Sequence, residues 1–273
     1  MRPRNYLNNK DLLLEIHKSK SSFSSFVDPE YHQFDIILNS LDQISDDTIE
    51  EAKQNRADRL QKECHMERLK DNPKAKLGDV LFDAQEITKQ ELVFRIMTFD
   101  HIPLEPGRKK NPKTISDHHV RCNFPPFQHY RFDENEMLKC VGKSHWIGGM
   151  DNGYFSKEHG QITPKLARMF IKLCERYGSR SNWRGYTYND EMQSSALLQL
   201  SQIGLQFDES KSQNPFAYYT AAITNSFTRV LNLEKRNQNI RDDILEQNGM
   251  NPSYTRQAAN ESIKRETPTP ADK

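Results

Sequence analysis

Between Asn214 and Arg236 the chain reads NPFAYYTAAITNSFTRVLNLEKR, with its polar and aromatic side chains at helical spacing. Asn214 and Pro215 make a cap followed by a first-turn proline, and Phe216, Tyr219, Ile223, Phe227 and Val230 form one apolar stripe. That leaves Tyr218, Asn225, Thr228, Arg229, Asn232 and Lys235 facing outward, with Arg236 next in line. Asn and Arg on one helical face suit hydrogen bonding to base edges and phosphates, Asn to adenine and Arg to guanine or phosphate. Unstacked bases also need an aromatic surface, which Tyr218 or Tyr219, together with Phe216, would supply. A basic excess points the same way: from Gly160 to Arg241 there are eleven Lys or Arg against six Asp or Glu, while the whole chain carries a formal net charge of +1. A solvated helical face is the plainer reading of the same charges.

A second constellation lies upstream. His118 or His119 with Cys122, then Cys140 and His145, supplies two nitrogen and two sulfur ligands, a set that suits tetrahedral zinc, although the spacing is not that of a standard finger. The competing reading makes them separate core or surface residues. FDHIP around His101, the His118-His119 pair and Cys122-Asn123 also admit a His-Asn-His nuclease reading, the enzyme alternative; the main expectation is a protein that is not an enzyme. The basic run GRKKNPK reads as a solvated loop or a phosphate contact.

The elements that must position these residues are legible in part. Asn9 is a plausible cap for a short helix over NNKDLLLEIH, and SSFSSF after Lys20 reads as a Ser-rich linker. Residues 45–70 are rich in helix formers with acids at the start, but have too few apolar positions to fill a core, so a solvated helix lying along something else is expected. Thr88-x-x-Glu91 is a capping box ahead of LVFRIM, which predicts another short helix. Six prolines and glycines between Pro103 and Pro126 exclude regular helix from about 100 to 130 and leave room for short strands. Thr163-Pro164 then opens a helix with Leu166, Met169, Phe170, Leu173 and Tyr177 on one face, stopped by Gly178. A second helix carries Met192, Ala196, Leu200, Ile203 and Phe207, and the polar turn FDESKSQ leads into the third. With 35% hydrophobic and 28% charged residues the core must be lean. The four scattered cysteines, the lack of a leader-like apolar run behind MRPRNYLNNK and the lack of any run near the ~20 residues that span a bilayer predict a soluble protein of a reducing compartment, with no membrane partner.

The segment Glu191 to Leu231 resembles the second conserved region of bacterial sigma factors and aligns with that pattern without a gap, through Glu191, Phe207-Asp208, Tyr218, Thr220, Ile223, Thr228 and Arg229. It is most similar to the late-transcription sigma factors of T-even-type phages and their cyanophage relatives. That family also has a Tyr-x-Asn-Asn-Lys opening like Tyr6 to Lys10, a Gly-Tyr-Thr like Gly185 to Thr187, then Glu-Met, Phe-Asp, and Asn-Pro followed by Ala-Tyr. The matches span Gly160 to Tyr254 and the first 20 residues. The resemblance implies a mainly α fold: a sigma region 2-like helical bundle with a long, partly irregular insertion near the N-terminus. The domains expected are 1–20, a sigma-family segment; 21–159, an insertion; 160–254, the core-binding and promoter-recognition domain; and 255–273, a polar disordered tail. The resemblance implies binding to the β′ clamp helices of the host RNA polymerase core through Glu191, Met192, Ser194, Ser195 and Leu198. It also implies recognition and melting of a −10-like late-promoter element, with Asn225, Thr228 and Arg229 at the duplex edge, in the cytoplasm of a bacterial host.

Departures from the family sharpen these expectations. Two tryptophans that wedge into melted duplex in housekeeping factors are replaced by Ala221 and Ala222, so the strand-opening surface must be smaller or rest on Phe216, Tyr218 and Tyr219. A late coactivator and the sliding clamp are the further partners the family implies, although RETPTPADK lacks the acidic, hydrophobic pattern that engages the clamp. A helix-turn-helix regulator, the alternative binding module, fits the seven residues Asp208 to Asn214 poorly.

Overall fold

The computed structural model describes residues 7–73, 75–103, 124–158 and 160–266. The chain divides into two compact units, Met1–Phe170 with Ser201–Tyr219, and Ile171–Leu200 with Thr220–Lys273. The first unit is not the bundle with irregular insertion that the sequence led us to expect. It is built on a five-stranded mixed sheet, and the protein is an α/β fold rather than mainly α.

The chain enters through α1 (Asn9–Lys20), capped by the Asn8 side chain on the Asp11 amide. Strands β1 (Ser24–Phe26), β2 (Ile36–Leu38), β3 (Phe94–Met97), β4 (Phe127–Phe132) and β5 (Leu138–Ser144) form the sheet in the order β1-β5-β4-β3-β2. Only the β2–β3 pairing is parallel; the other neighbours run antiparallel. A two-stranded sheet of β6 (Trp146–Ile147) and β7 (Tyr154–Phe155) follows. Two expectations fail here for the same reason. SSFSSF is not a linker: Phe26 lies beside the ring of His129, with ring centroids 5.3 Å apart, and its strand pairs with Ser144 to Gly142. The capping box at Thr88 and Glu91 forms, but closes one 3-10 turn and releases the chain into β3, where all four residues are buried. Aromatic and β-branched side chains covered on both faces favour a central strand over the helix that the local cap signalled.

The long helix α2 (Asp46–Asp71) begins at a Ser45–Thr48 capping box and does lie along something else. Its Ile49, Ala52 and Ala57 pack on one face of the sheet against Ile36, Leu38, Phe94 and Ile96. Behind the other face Arg95 is fully buried. Its guanidinium lies 3.8 Å from the ring centres of both Phe34 and Phe127. Its Nε donates to His129 Nε2 at 2.9 Å, and the Nδ1 side of His129 meets the Tyr31 carbonyl at 2.5 Å. Burial, and then the neighbouring Arg95, hold His129 well below the usual histidine range; the same two causes act on His17, with Lys20 adding to them.

The segment that separates the N-terminal helix from residue 160 returns to where it left. Gln161 N donates to Ser22 Oγ (2.7 Å), Thr163 N to Ser19 Oγ (3.1 Å) and Thr163 Oγ1 to Glu15 Oε2 (2.9 Å). Gly160 sits at φ +97, and a Cβ there would collide with the Ser19 carbonyl. Lys20 completes the closure: its Nζ is 2.6 Å from Glu209 Oε2 and 2.5 Å from the Phe207 carbonyl, with both side chains 2% exposed.

Helices α3 (Pro164–Gly178), α4 (Asn189–Ile203), α5 (Pro215–Gln247) and α6 (Tyr254–Glu266) follow. The boundary between the two units falls within α3, α4 and α5. Leu166, Met169, Phe170, Leu173 and Tyr177 are buried as their spacing predicts, and Thr163 caps α3 through its Oγ1 to the Leu166 amide. In α4 Met192, Ala196 and Leu200 are buried, but the helix gives way to a 3-10 turn, Gly204–Gln206, before Phe207. The polar tail expected from 255 corresponds instead, over the described residues, to α6. A left-handed Gly249 turns the chain, Ser253 donates to both Asp242 oxygens, and Arg256 binds Asp243 at 2.7 Å, so α6 folds back on α5. The terminal residues 267–273, like Tyr6, lie outside the described residues.

Candidate nucleic-acid and protein interface

In the second unit α5 is held by an aromatic cluster. Phe227 meets Tyr177 edge-on at 5.1 Å and Trp183 at 5.3 Å, and the Tyr177 hydroxyl lies 2.7 Å from Thr224 Oγ1. Asn189 fixes the loop before α4 by donating to the carbonyls of Gly178 (3.0 Å) and Trp183 (2.7 Å). With Ala222, Ile223, Ser226, Phe227 and Val230 buried, the rotation of α5 about its axis is set. Asn225, Thr228, Arg229, Asn232, Lys235 and Arg236 are then all exposed. Their spacing of i, i+3, i+4, i+7, i+10 and i+11 makes them one continuous stripe. The helix also runs to Gln247, past the Arg236 at which the sequence pattern stops being informative.

Of the proposed polymerase contacts, Glu191, Ser194 and Leu198 are exposed on α4, Leu198 to 62%. Met192 is fully buried and belongs to the core, which removes it from any contact surface. Ser195 is half-buried, and its Oγ receives the Ser226 hydroxyl (3.1 Å) and Arg229 Nη2 (3.4 Å). The side chain assigned from the sequence to a protein contact therefore steadies one assigned to DNA, a link that no local pattern announces.

The aromatic candidates fall in the first unit and divide sharply. Tyr219 is 0% exposed, and its hydroxyl donates to the Gly204 carbonyl at 2.5 Å. Burial first, then Glu209 and Tyr218, push its phenol well above the usual value, so it remains a neutral donor. It cannot receive a base. Tyr218 is half-buried against Phe207, with ring centroids 5.5 Å apart, and Phe216, placed in the buried stripe by spacing, is instead 37% exposed. The amide of Phe216 bonds Asn9 Oδ1 at 3.3 Å, so the helix start is tied to the N-terminal segment. Of the three aromatics, Phe216 is exposed and Tyr218 partly so.

Of the metal candidates, Cys140 and His145 fall within the described residues. His118, His119 and Cys122 lie outside the described residues, as does GRKKNPK. Cys140 Sγ is directed at the Gly142 carbonyl (3.5 Å), and burial raises its thiol pKa. His145 Nδ1 lies 2.8 Å from the Glu158 carbonyl, with the ring tilted against Phe124 at 4.0 Å. Among the described residues, no three His, Cys, Asp or Glu side chains form a group that could hold a metal ion. His101, the nuclease candidate, has Nε2 3.0 Å from the Ser144 carbonyl. Among the described residues no helix is long and apolar enough to cross a membrane. Comparison with protein-family models, with curated proteins and with solved structures found no match.

Proposed function

We propose that the protein is a phage-type sigma factor that binds the host RNA polymerase core and directs it to late promoters in the bacterial cytoplasm. The observation that carries this reading is the exposed stripe on α5: six side chains suited to base edges and phosphates on one uninterrupted helix, opposite a well-packed core. Glu191, Ser194 and Leu198 supply the polymerase contact, with Ser195 holding Arg229 in register. Promoter melting rests on Phe216 and Tyr218 alone, since Tyr219 is committed to the core. A late coactivator is the further partner this reading brings. A helix-turn-helix regulator is disfavoured because residues 204–214 separate α4 from α5.

Run-off transcription on duplex and pre-melted late-promoter templates tests the reading. Asn225→Ala should relax preference at one base pair at a cost of about 1–3 kcal/mol, on both templates. Phe216→Ala and Tyr218→Ala should impair the duplex template and be rescued by pre-melting, each losing roughly 1–3 kcal/mol of stacking. Identical behaviour of all three variants on both templates would refute the division of this helix into reading and melting parts.

A further inference from the structure

In the first unit a cavity of about 460 Å³ opens between α2, the 3-10 turn Pro29–His32 and the end of β4. Arg56, Arg59 and Glu63 reach it from one face of α2, Arg131 from β4, and Tyr31 from the turn. The size falls within the range of small-molecule sites, roughly 300–1,000 Å³.

Three guanidinium groups line this space, and their donors are only partly used. Arg59 Nη2 is 2.8 Å from Asp35 Oδ1, and its Nη1 donates to the Phe34 carbonyl at 2.8 Å. Arg56 stands 3.7 Å from both Asp35 and Glu91, beyond hydrogen-bond reach of either. Arg131 donates to the Tyr31 hydroxyl, and its guanidinium lies 5.0 Å from the centre of the Tyr31 ring. The Nε atoms of all three are buried and have no hydrogen-bond partner. Of the nearby carboxylates, Asp35 alone has a fully buried side chain, and it is shared by two of the arginines and the Val93 amide. Glu30 lines the cavity and is exposed, Glu91 stands at the rim with its side chain 45% exposed, and one oxygen of Glu63 accepts from the Gln33 amide at 3.2 Å. These enclosed Nε atoms are out of reach of a ligand; it is the outer forks of the three guanidinium groups lining the cavity whose planar geometry matches the oxygens of a phosphate.

We propose that this cavity binds a terminal phosphate monoester, seated among Arg56, Arg59 and Arg131. The inference is independent of the transcription reading. A rim of carboxylates disfavours the approach of a long polyanion and admits a compact phosphate whose hydroxyl-bearing body can donate to Glu91 or Glu63. A small phosphorylated metabolite and the 5′-phosphate of a short oligonucleotide carry the same group.

Isothermal titration calorimetry of the full chain at fixed ionic strength tests it, with inorganic phosphate as the first probe. Ribose 5-phosphate and a trinucleotide with or without its 5′-phosphate then separate the two sources. Saturable phosphate binding is expected to weaken at least roughly ten-fold in Arg131→Gln, and less in Arg131→Lys. Glu91→Gln should tighten it, because it removes a rim carboxylate while Gln can still cap Thr88. Lys62→Gln, on the exposed face of the same helix, should leave it unchanged. Absence of saturable binding, or equal weakening by Lys62→Gln and Arg131→Gln, overturns the proposal.

Discussion

Lys20→Met is the most demanding single test of how the N-terminal segment is locked to the rest of its unit. Lys20 Nζ holds Glu209 at 2.6 Å and the Phe207 carbonyl at 2.5 Å, and both charged side chains are 2% exposed. Removing the ammonium leaves a carboxylate with almost no access to water, a change that costs about 3–5 kcal/mol at buried pairs. The lost donor to Phe207 belongs to the same network, so its contribution is contained in that figure rather than added to it. Against a typical total of about 5–15 kcal/mol, the loss is large. Lys20→Met/Glu209→Leu should recover part of it, because no carboxylate is then stranded, although the buried Arg95 loses the favourable charge of Glu209. Urea denaturation followed by circular dichroism measures both variants. A single variant within about 1 kcal/mol of the parent, or a double variant no better than the single one, would refute the reasoning.

Two further outcomes follow from the same unit. Gly160→Ala places a methyl group against the Ser19 carbonyl at φ +97 and should cost about 1–3 kcal/mol or more, read as a lower urea midpoint; an unchanged midpoint would mean that the segments do not meet there. His17 and His129 are held neutral, both with pKa values well below the ordinary 6.5, by burial and Arg95. The unfolded chain therefore binds protons that the folded one does not, and stability is present above pH 6.5 and lost as pH falls towards the folded values. Two such groups give a slope approaching about 2.7 kcal/mol per pH unit, and urea midpoints that stay flat from pH 7.5 to 5.5 would contradict it.

What the sequence conveys depends on how local each cause is. Thr163-Pro164 with Leu166, Met169, Phe170 and Leu173 states a helix within fifteen residues, and α3 is there. The capping box at Thr88 is equally local and was misleading, because what decides LVFRIM is pairing with β2 and β4 at its edges and burial of its faces, by α2 on one side and by Phe34 and Phe127 around Arg95 on the other, partners tens of residues away. The Lys20–Glu209 pair spans 189 residues and has no local signature. At the candidate interface, the outward stripe from Asn225 to Arg236 was legible because one apolar stripe fixes the other side of a helix. The same periodicity already placed Tyr219 inside, against its assignment as a stacking surface. Met192 fails likewise, being in phase with Ala196 and Leu200. Arg56 and Arg59 read as part of a solvated face; only the cavity formed with Arg131 distinguishes them.

The central claim is polymerase binding, and co-purification with the bacterial RNA polymerase core tests it most directly. Glu191→Lys/Leu198→Asp alters two exposed positions and leaves the buried Met192, Ala196 and Leu200 untouched. The parent protein should co-purify with core enzyme and support run-off transcription from late promoters, while the double variant keeps its helical circular dichroism and loses both. A folded parent that fails to bind core polymerase, or a double variant that binds as well as the parent, would contradict the account.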